Sequence, residues 1–228
     1  MVQILQLIIN WGNYYRGFSF MSDSSLRVVS KTRSKNFGYD EITTEIFRKS
    51  IHILVAFVPA IASINLELTQ IFLSSAVVIY SICELMRLNG RQVVLISGIT
   101  AAASRERDKG HLVLGPVTLA VGAMLALMLY PMKVAEIAIY ALAFGDSAAS
   151  LVGKLFGKIE LPGFGKKTLE GTLACFAAVF SVTLMISRNI SGSIVIAAVA
   201  TLIELIPVKD LDNLLIPVGT GLAAVMIL

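Results

Sequence analysis

The sequence predicts an all-α polytopic integral membrane protein, with about six or seven transmembrane helices and a Gly/Lys loop on the cytoplasmic face. Three observations carry this. Mean hydropathy is +0.81, and 56% of the 228 residues are hydrophobic while 15% are charged; soluble domains carry about 25% charge. Apolar runs close to the ~20 residues needed to cross a bilayer recur along the chain. Of the 19 Lys and Arg, all but Lys133 and Arg188 lie in alternate connecting segments, and that sidedness assigns those segments to the cytoplasm.

Residues 1–9 are apolar but too short to span, and no basic residue precedes them, so they make a poor signal peptide. Trp11, Tyr14, Tyr15, Phe18 and Phe20 follow, and aromatics favour the membrane interface. Residues 21–40 are rich in Ser, Lys and Arg and read as a solvated loop. Residues 1–44 are thus an interfacial and loop segment ahead of one membrane-embedded domain, 45–228.

The expected spans are 45–64, 67–86, 112–130, 134–152, 169–187, 194–206 and 211–228. The first carries Arg48, Lys49 and His52, which share a helical face by i,i+3 and i,i+4 spacing. On their own these residues are either basic anchors at a helix end or phosphate ligands. Glu84 and Arg87 are spaced as an intrahelical ion pair at the end of the second span. The weakly apolar piece 93–103 is short and reads as interfacial or re-entrant, and Arg105 to Lys109 form a charge run after it. Gly115-Pro116 disturbs the start of the third span, and Gly122 with Ala126 is an ordinary small-residue packing pair. Glu204 and Asp210 read as boundary charges. Cys83 and Cys175 lie in apolar runs and read as buried thiols. The net charge of +4 is a topology signal, since no long basic tract marks a nucleic-acid site.

The chemistry concentrates between residues 145 and 172, GDSAASLVGKLFGKIELPGFGKKTLEGT. Asp146 is an acid inside an apolar run, where insertion costs roughly 2.5–3.5 kcal/mol, so it marks function more often than chance. Gly153, Gly157, Gly163 and Gly165 allow close backbone approach, and Lys154, Lys158, Lys166 and Lys167 supply charge for phosphate. Gly153 and Gly157 also read as a GxxxG packing pair. Thr168 to Thr172 open the fifth span, and free N–H groups at a helix N-terminus suit an anion. A nucleotide or polyphosphate site at a membrane surface follows. It is not a Walker loop, because neither Gly153–Lys158 nor Gly163–Thr168 has that spacing.

The order Asp146, Ala149, Gly153-Lys154, Gly157-Lys158, Lys167-Thr168-Leu169-Glu170-Gly171-Thr172 resembles the family of CTP-dependent lipid kinases: dolichol kinase, phytol kinase and CTP-dependent diacylglycerol kinase. The likeness covers roughly residues 45–220. The family also opens with an Arg-Lys pair and a His three residues on, as Arg48, Lys49 and His52 do here. Arg105 and Glu106 resemble its basic and acidic residues before a Gly-containing helix, and Asp212-Asn213 looks like its Asp-Asn motif before the final helix.

The resemblance implies transfer of the γ-phosphate of CTP, or another nucleoside triphosphate, to the hydroxyl of a membrane lipid alcohol such as a polyprenol, phytol or diacylglycerol. It implies Asp146 and Lys167 as catalytic residues. It implies a nucleotide held by Arg48, Lys49, Gly153, Lys154, Gly157, Lys158, Thr168, Glu170, Gly171 and Thr172. Asp146 and Asp212 would hold Mg²⁺, and Asp146 could instead orient the lipid hydroxyl as a base. A phosphatidate cytidylyltransferase has a similar pattern, but it carries Ser-Pro where Phe164-Gly165 stands and a His and Asp-Arg signature that residues 217–221 lack. A small transporter would spread its charges near the midplane of several spans, whereas here they gather at one end.

Overall fold

A computed structural model of the chain describes residues 39–91, 98, 100, 111–208 and 210–228. The N-terminal reading of 1–38, most of the piece 93–103 and the candidates Arg105 and Glu106 lie outside the described residues. Within them every regular element is helical, and one isolated antiparallel bridge pairs Glu160 with Thr168.

Among the described residues, four helical rods are long and apolar enough to cross a membrane: Glu41–Ile64, Leu66–Leu88, Met132–Leu155 and Leu169–Ser187. Three shorter apolar helices join them: Gly115–Leu129, Ile190–Leu205 and Asp212–Ile227. Each of the seven expected segments is an apolar helix, four of them of spanning length; 169–187 coincides with its helix and the others differ at their ends.

The first rod is α1 (Tyr39–Leu54), a 3-10 turn (Val55–Phe57) and α2 (Val58–Ile64). Pro59 explains the tightening. It has no N–H to offer Val55, and the Val58 N–H bonds the Val55 carbonyl instead. Asn65 then caps α3 (Leu66–Leu88) by accepting from Leu68 N at 2.9 Å. The next helices are α4 (Gly115–Leu129) and α5 (Met132–Tyr140). A π turn (Ala141–Gly145) follows and runs directly into α6 (Asp146–Leu155). Thr168 caps α7 (Leu169–Ser187), Asn189 caps α8 (Ile190–Leu205), and α9 (Asp212–Ile227) ends the chain.

The rod formed by α5, the π turn and α6 is central. It packs against α1, α4, α7, α8 and α9. Buried residues make up 61% of its apolar stretch, against 11% for α3. Ala138, Ile139, Leu142 and Ala143 on it are wholly buried. The outer face of α3 presents Ile71, Phe72, Val78 and Ile79, which are exposed as lipid-facing residues are.

Small residues set how closely the rods approach. A Cβ on Gly145 would lie 2.7 Å from Val179 of α7. A Cβ on Gly122 would lie 2.0 Å from the Asn213 carbonyl oxygen. Pro217, four residues on in α9, has no N–H to bond that carbonyl. The α4–α9 crossing is thus fitted to a backbone oxygen that proline leaves free.

Candidate active site

Asp146 is the first residue after the π turn and is 2% exposed. Widened turns of this kind inside α-helices are frequent at functional sites. Its carboxylate meets α1: Lys49 Nζ donates to Oδ2, and His52 Nδ1 lies 3.0 Å from the same oxygen. Lys49 and His52 are themselves buried, so Lys49 sits behind Asp146 and does not present its charge to solvent.

One turn earlier on the same face of α1, Glu45 makes a second link. Its Oε1 accepts from Arg48 Nη2 at 2.7 Å, and its Oε2 accepts from Lys154 Nζ of α6 at 2.6 Å. Glu45 is 1% exposed, whereas Arg48 and Lys154 reach the surface through their ends. The sequence reading omitted Glu45. The signal was present, because residues 45, 49 and 52 form one i, i+4, i+7 stripe.

The loop after α6 is folded onto the start of α7. Leu161 N bonds Lys167 O at 2.9 Å, and Gly163 and Gly165 have φ of 87° and 69°, a region side chains disfavour. Glu170 clamps the loop by accepting from Lys158 N at 3.0 Å and Ile159 N at 3.3 Å. A Cβ on Gly171 would lie 2.6 Å from the Ala149 carbonyl, and one on Gly153 would lie 3.0 Å from Thr168 Oγ1. A Cβ on Gly157 would clash with the Gly153 carbonyl and with Thr168. These glycines let α6 and α7 touch. A Cβ at any of the three would press on protein atoms, as the packing reading of Gly153 and Gly157 expects.

At the start of α7, N–H groups that the sequence offered to an anion have protein partners. Leu169 N bonds Ile159 O at 2.9 Å, Gly171 N bonds Thr168 Oγ1 at 3.2 Å, and Thr172 N bonds Thr168 O at 2.9 Å. The Thr172 hydroxyl donates to Thr168 O at 2.9 Å. A capping threonine and the neighbouring loop thus take up the Leu169, Gly171 and Thr172 N–H groups. Thr168, Glu170 and Thr172 thus hold the loop and the start of α7 together.

Lys167 pairs with Glu204 of α8, which is 2% exposed and not the boundary charge expected from sequence. Asp212 begins α9 and lies within electrostatic reach of Asp146, Lys49, Lys167 and Arg48. Its Oδ1 accepts from Asn213 N at 2.9 Å, and the Asn213 amide donates to Thr118 Oγ1 at 3.0 Å, fixing α9 to α4. Among the described residues, the buried Arg48 Nε, Ser147 Oγ, Glu204 Oε2 and Asn213 Oδ1 have no hydrogen-bond partner. An orphaned buried polar group costs about 1–3 kcal/mol, which a bound ligand or water relieves. Also among the described residues, no three His, Cys, Asp or Glu side chains converge on one metal position.

Away from this cluster, Glu84 is a structural anchor. It holds Arg87 at 2.7 and 2.8 Å and accepts from Val113 N at 2.9 Å, as the ion-pair spacing predicts. Cys83 and Cys175 are free thiols; Cys175 is buried as expected, whereas Cys83 is only half-buried.

Comparison with known proteins gives the same direction as the motif. No family model matches the chain, and no solved structure matches it. The chain is 25% identical over 199 residues to the probable chloroplastic phytol kinase of Triticum aestivum, covering 79% of this chain and 66% of that protein. It is 31% identical over 134 residues to the dolichol kinase of Mus musculus, covering 49% of this chain and 25% of that one. It is 32% identical over 99 residues to the phytol kinase of Synechocystis sp., covering 40% of this chain and 42% of that protein. The match thus spans less than two thirds of each of these relatives. Curated relatives named phytol kinase and dolichol kinase, at modest identity over much of the chain, support the family of CTP-dependent lipid kinases that the motif resembles.

Proposed function

We propose that the chain transfers the γ-phosphate of CTP to the hydroxyl of a membrane lipid alcohol of the polyprenol or phytol class. The observation that carries this reading is the gathering of Arg48 of α1, Asp146 and Lys154 of α6, Lys167 of the loop before α7 and Asp212 of α9 at one end of an apolar bundle. The names of the relatives supply the reaction class.

Phosphoryl transfer asks for positioning and charge neutralisation more than covalent chemistry. Arg48, Lys154 and Lys167 take the triphosphate, because each is tied to a buried carboxylate yet partly exposed. Asp146 and Asp212 are the carboxylates that would hold Mg²⁺. The donor set fits that ion, which takes one or two carboxylates and completes its shell with water and phosphate oxygens. Bound there, Mg²⁺ would supply charge to neutralise the phosphate oxygens. Lys49 and His52 fix Asp146 for either of its two roles, ion ligand or acceptor of the alcohol proton. The lipid tail lies along the apolar helices, and the reacting hydroxyl stands at the end that faces the cytoplasm.

The test is incubation of purified protein with CTP labelled at the γ or the α position and a panel of lipids. Label from the γ position in a lipid alcohol is the expected result. Label from the α position in phosphatidate would make the chain a cytidylyltransferase, and no transfer from either would refute both.

A further inference from the structure

Lys167 ends a loop, and an unanchored lysine there would sample many rotamers. It is anchored by Glu204, which stands 37 residues further along the chain, on α8. Glu204 is enclosed by the bundle, while the Lys167 side chain remains 28% exposed. Only Oε1 of Glu204 is used. Oε2 is buried and has no hydrogen-bond partner among the described residues. α8, which carries Glu204, packs against α7 and against the π turn that leads into Asp146. An ammonium has three donors, so the carboxylate fixes the direction of the head and leaves donors for phosphate.

We propose that Glu204 is a positioning residue that aims the Lys167 ammonium at the nucleotide's phosphates. This rests on the nucleotide reading above. Loss of a carboxylate that served only to neutralise Lys167 inside the bundle would change stability without changing nucleotide affinity. A positioning carboxylate acts through Lys167 alone. Its removal must weaken nucleotide binding when Lys167 is present and do nothing when Lys167 is absent.

Equilibrium binding of Mg²⁺–CTP to purified protein in detergent tests this in wild type, Glu204→Gln, Glu204→Asp, Lys167→Met and the Glu204→Gln/Lys167→Met double variant. Gln keeps the size and one acceptor, so the bundle is retained, and thermal unfolding of each variant checks this. Glu204→Gln should weaken binding by about tenfold, Glu204→Asp by less, and Glu204→Gln in the Lys167→Met background by under about twofold. The KM for the lipid alcohol should stay unchanged in Glu204→Gln. Binding within about twofold of wild type in Glu204→Gln, or an equal loss in both backgrounds, would overturn the inference. Wild type that binds no nucleotide would instead overturn the reading on which it rests.

Discussion

The Lys49–Asp146 pair gives the sharpest expectation about stability. Both side chains are almost wholly enclosed, at 1% and 2% exposure, and they tie α1 to the central rod. Lys49→Met leaves the aspartate with His52 alone. Asp146→Asn leaves an ammonium without a counter-charge. Breaking a buried pair from one side costs about 3–5 kcal/mol, because the remaining charge cannot be solvated. For a chain of 228 residues, each 1 kcal/mol lowers the unfolding midpoint by about 2–4 °C, so each single variant should fall by roughly 6–20 °C. The double variant Lys49→Met/Asp146→Leu removes both charges and should recover most of that loss, since apolar replacement of a buried pair is often neutral. Thermal unfolding in detergent, followed by size-exclusion recovery, is the assay. Additive losses in the double variant would show that the two groups do not act as a pair and would refute the reasoning.

Three other outcomes follow from the same geometry. Gly171→Ala places a methyl 2.6 Å from the Ala149 carbonyl and 3.1 Å from Gly153 Cα; overpacking of this kind costs about 1–3 kcal/mol and should appear as a lowered unfolding midpoint. Glu170→Ala releases the Lys158 and Ile159 amides; losing a charged acceptor costs about 1.5–3 kcal/mol, so trypsin should cut after Lys158 about tenfold faster or more, and unchanged cleavage would mean the clamp is idle. Asp212→Asn should raise the Mg²⁺ concentration needed for half-maximal transfer by about tenfold with little loss of stability, and an unchanged Mg²⁺ requirement would remove Asp212 from the ion site.

Much of the fold was legible because hydropathy reports burial in lipid directly. The span 169–187 coincides with its helix, and the other six differ only at their ends. The motif singled out Asp146 and the Lys49 and His52 stripe of α1, and these meet, although the shared face was read as basic anchors or phosphate ligands. What sequence could not supply was the partner of each charge. Glu204 read as a boundary charge and Glu45 carried no reading, yet each is enclosed and holds a motif lysine from another segment. That depends on how α1 and α8 pack around the central rod, which no local spacing encodes. The glycines and the Thr168 cap were legible as special, but their atoms are spent on the α6–α7 contact. A motif records that a residue is needed there without recording whether it touches ligand or protein.

The central claim is that α1, the loop before α7 and the start of α9 share one nucleotide. Ligand-dependent thermal stabilisation tests it most directly. At a hundredfold excess over the dissociation constant, Mg²⁺–CTP should add about 2.7 kcal/mol, or an upward shift of roughly 5–11 °C. Arg48→Gln, Lys167→Ala and Asp212→Asn, one from each segment, should each lose most of that shift. A full shift retained in any one of them would mean that its segment does not touch the nucleotide, and the single shared site would not stand.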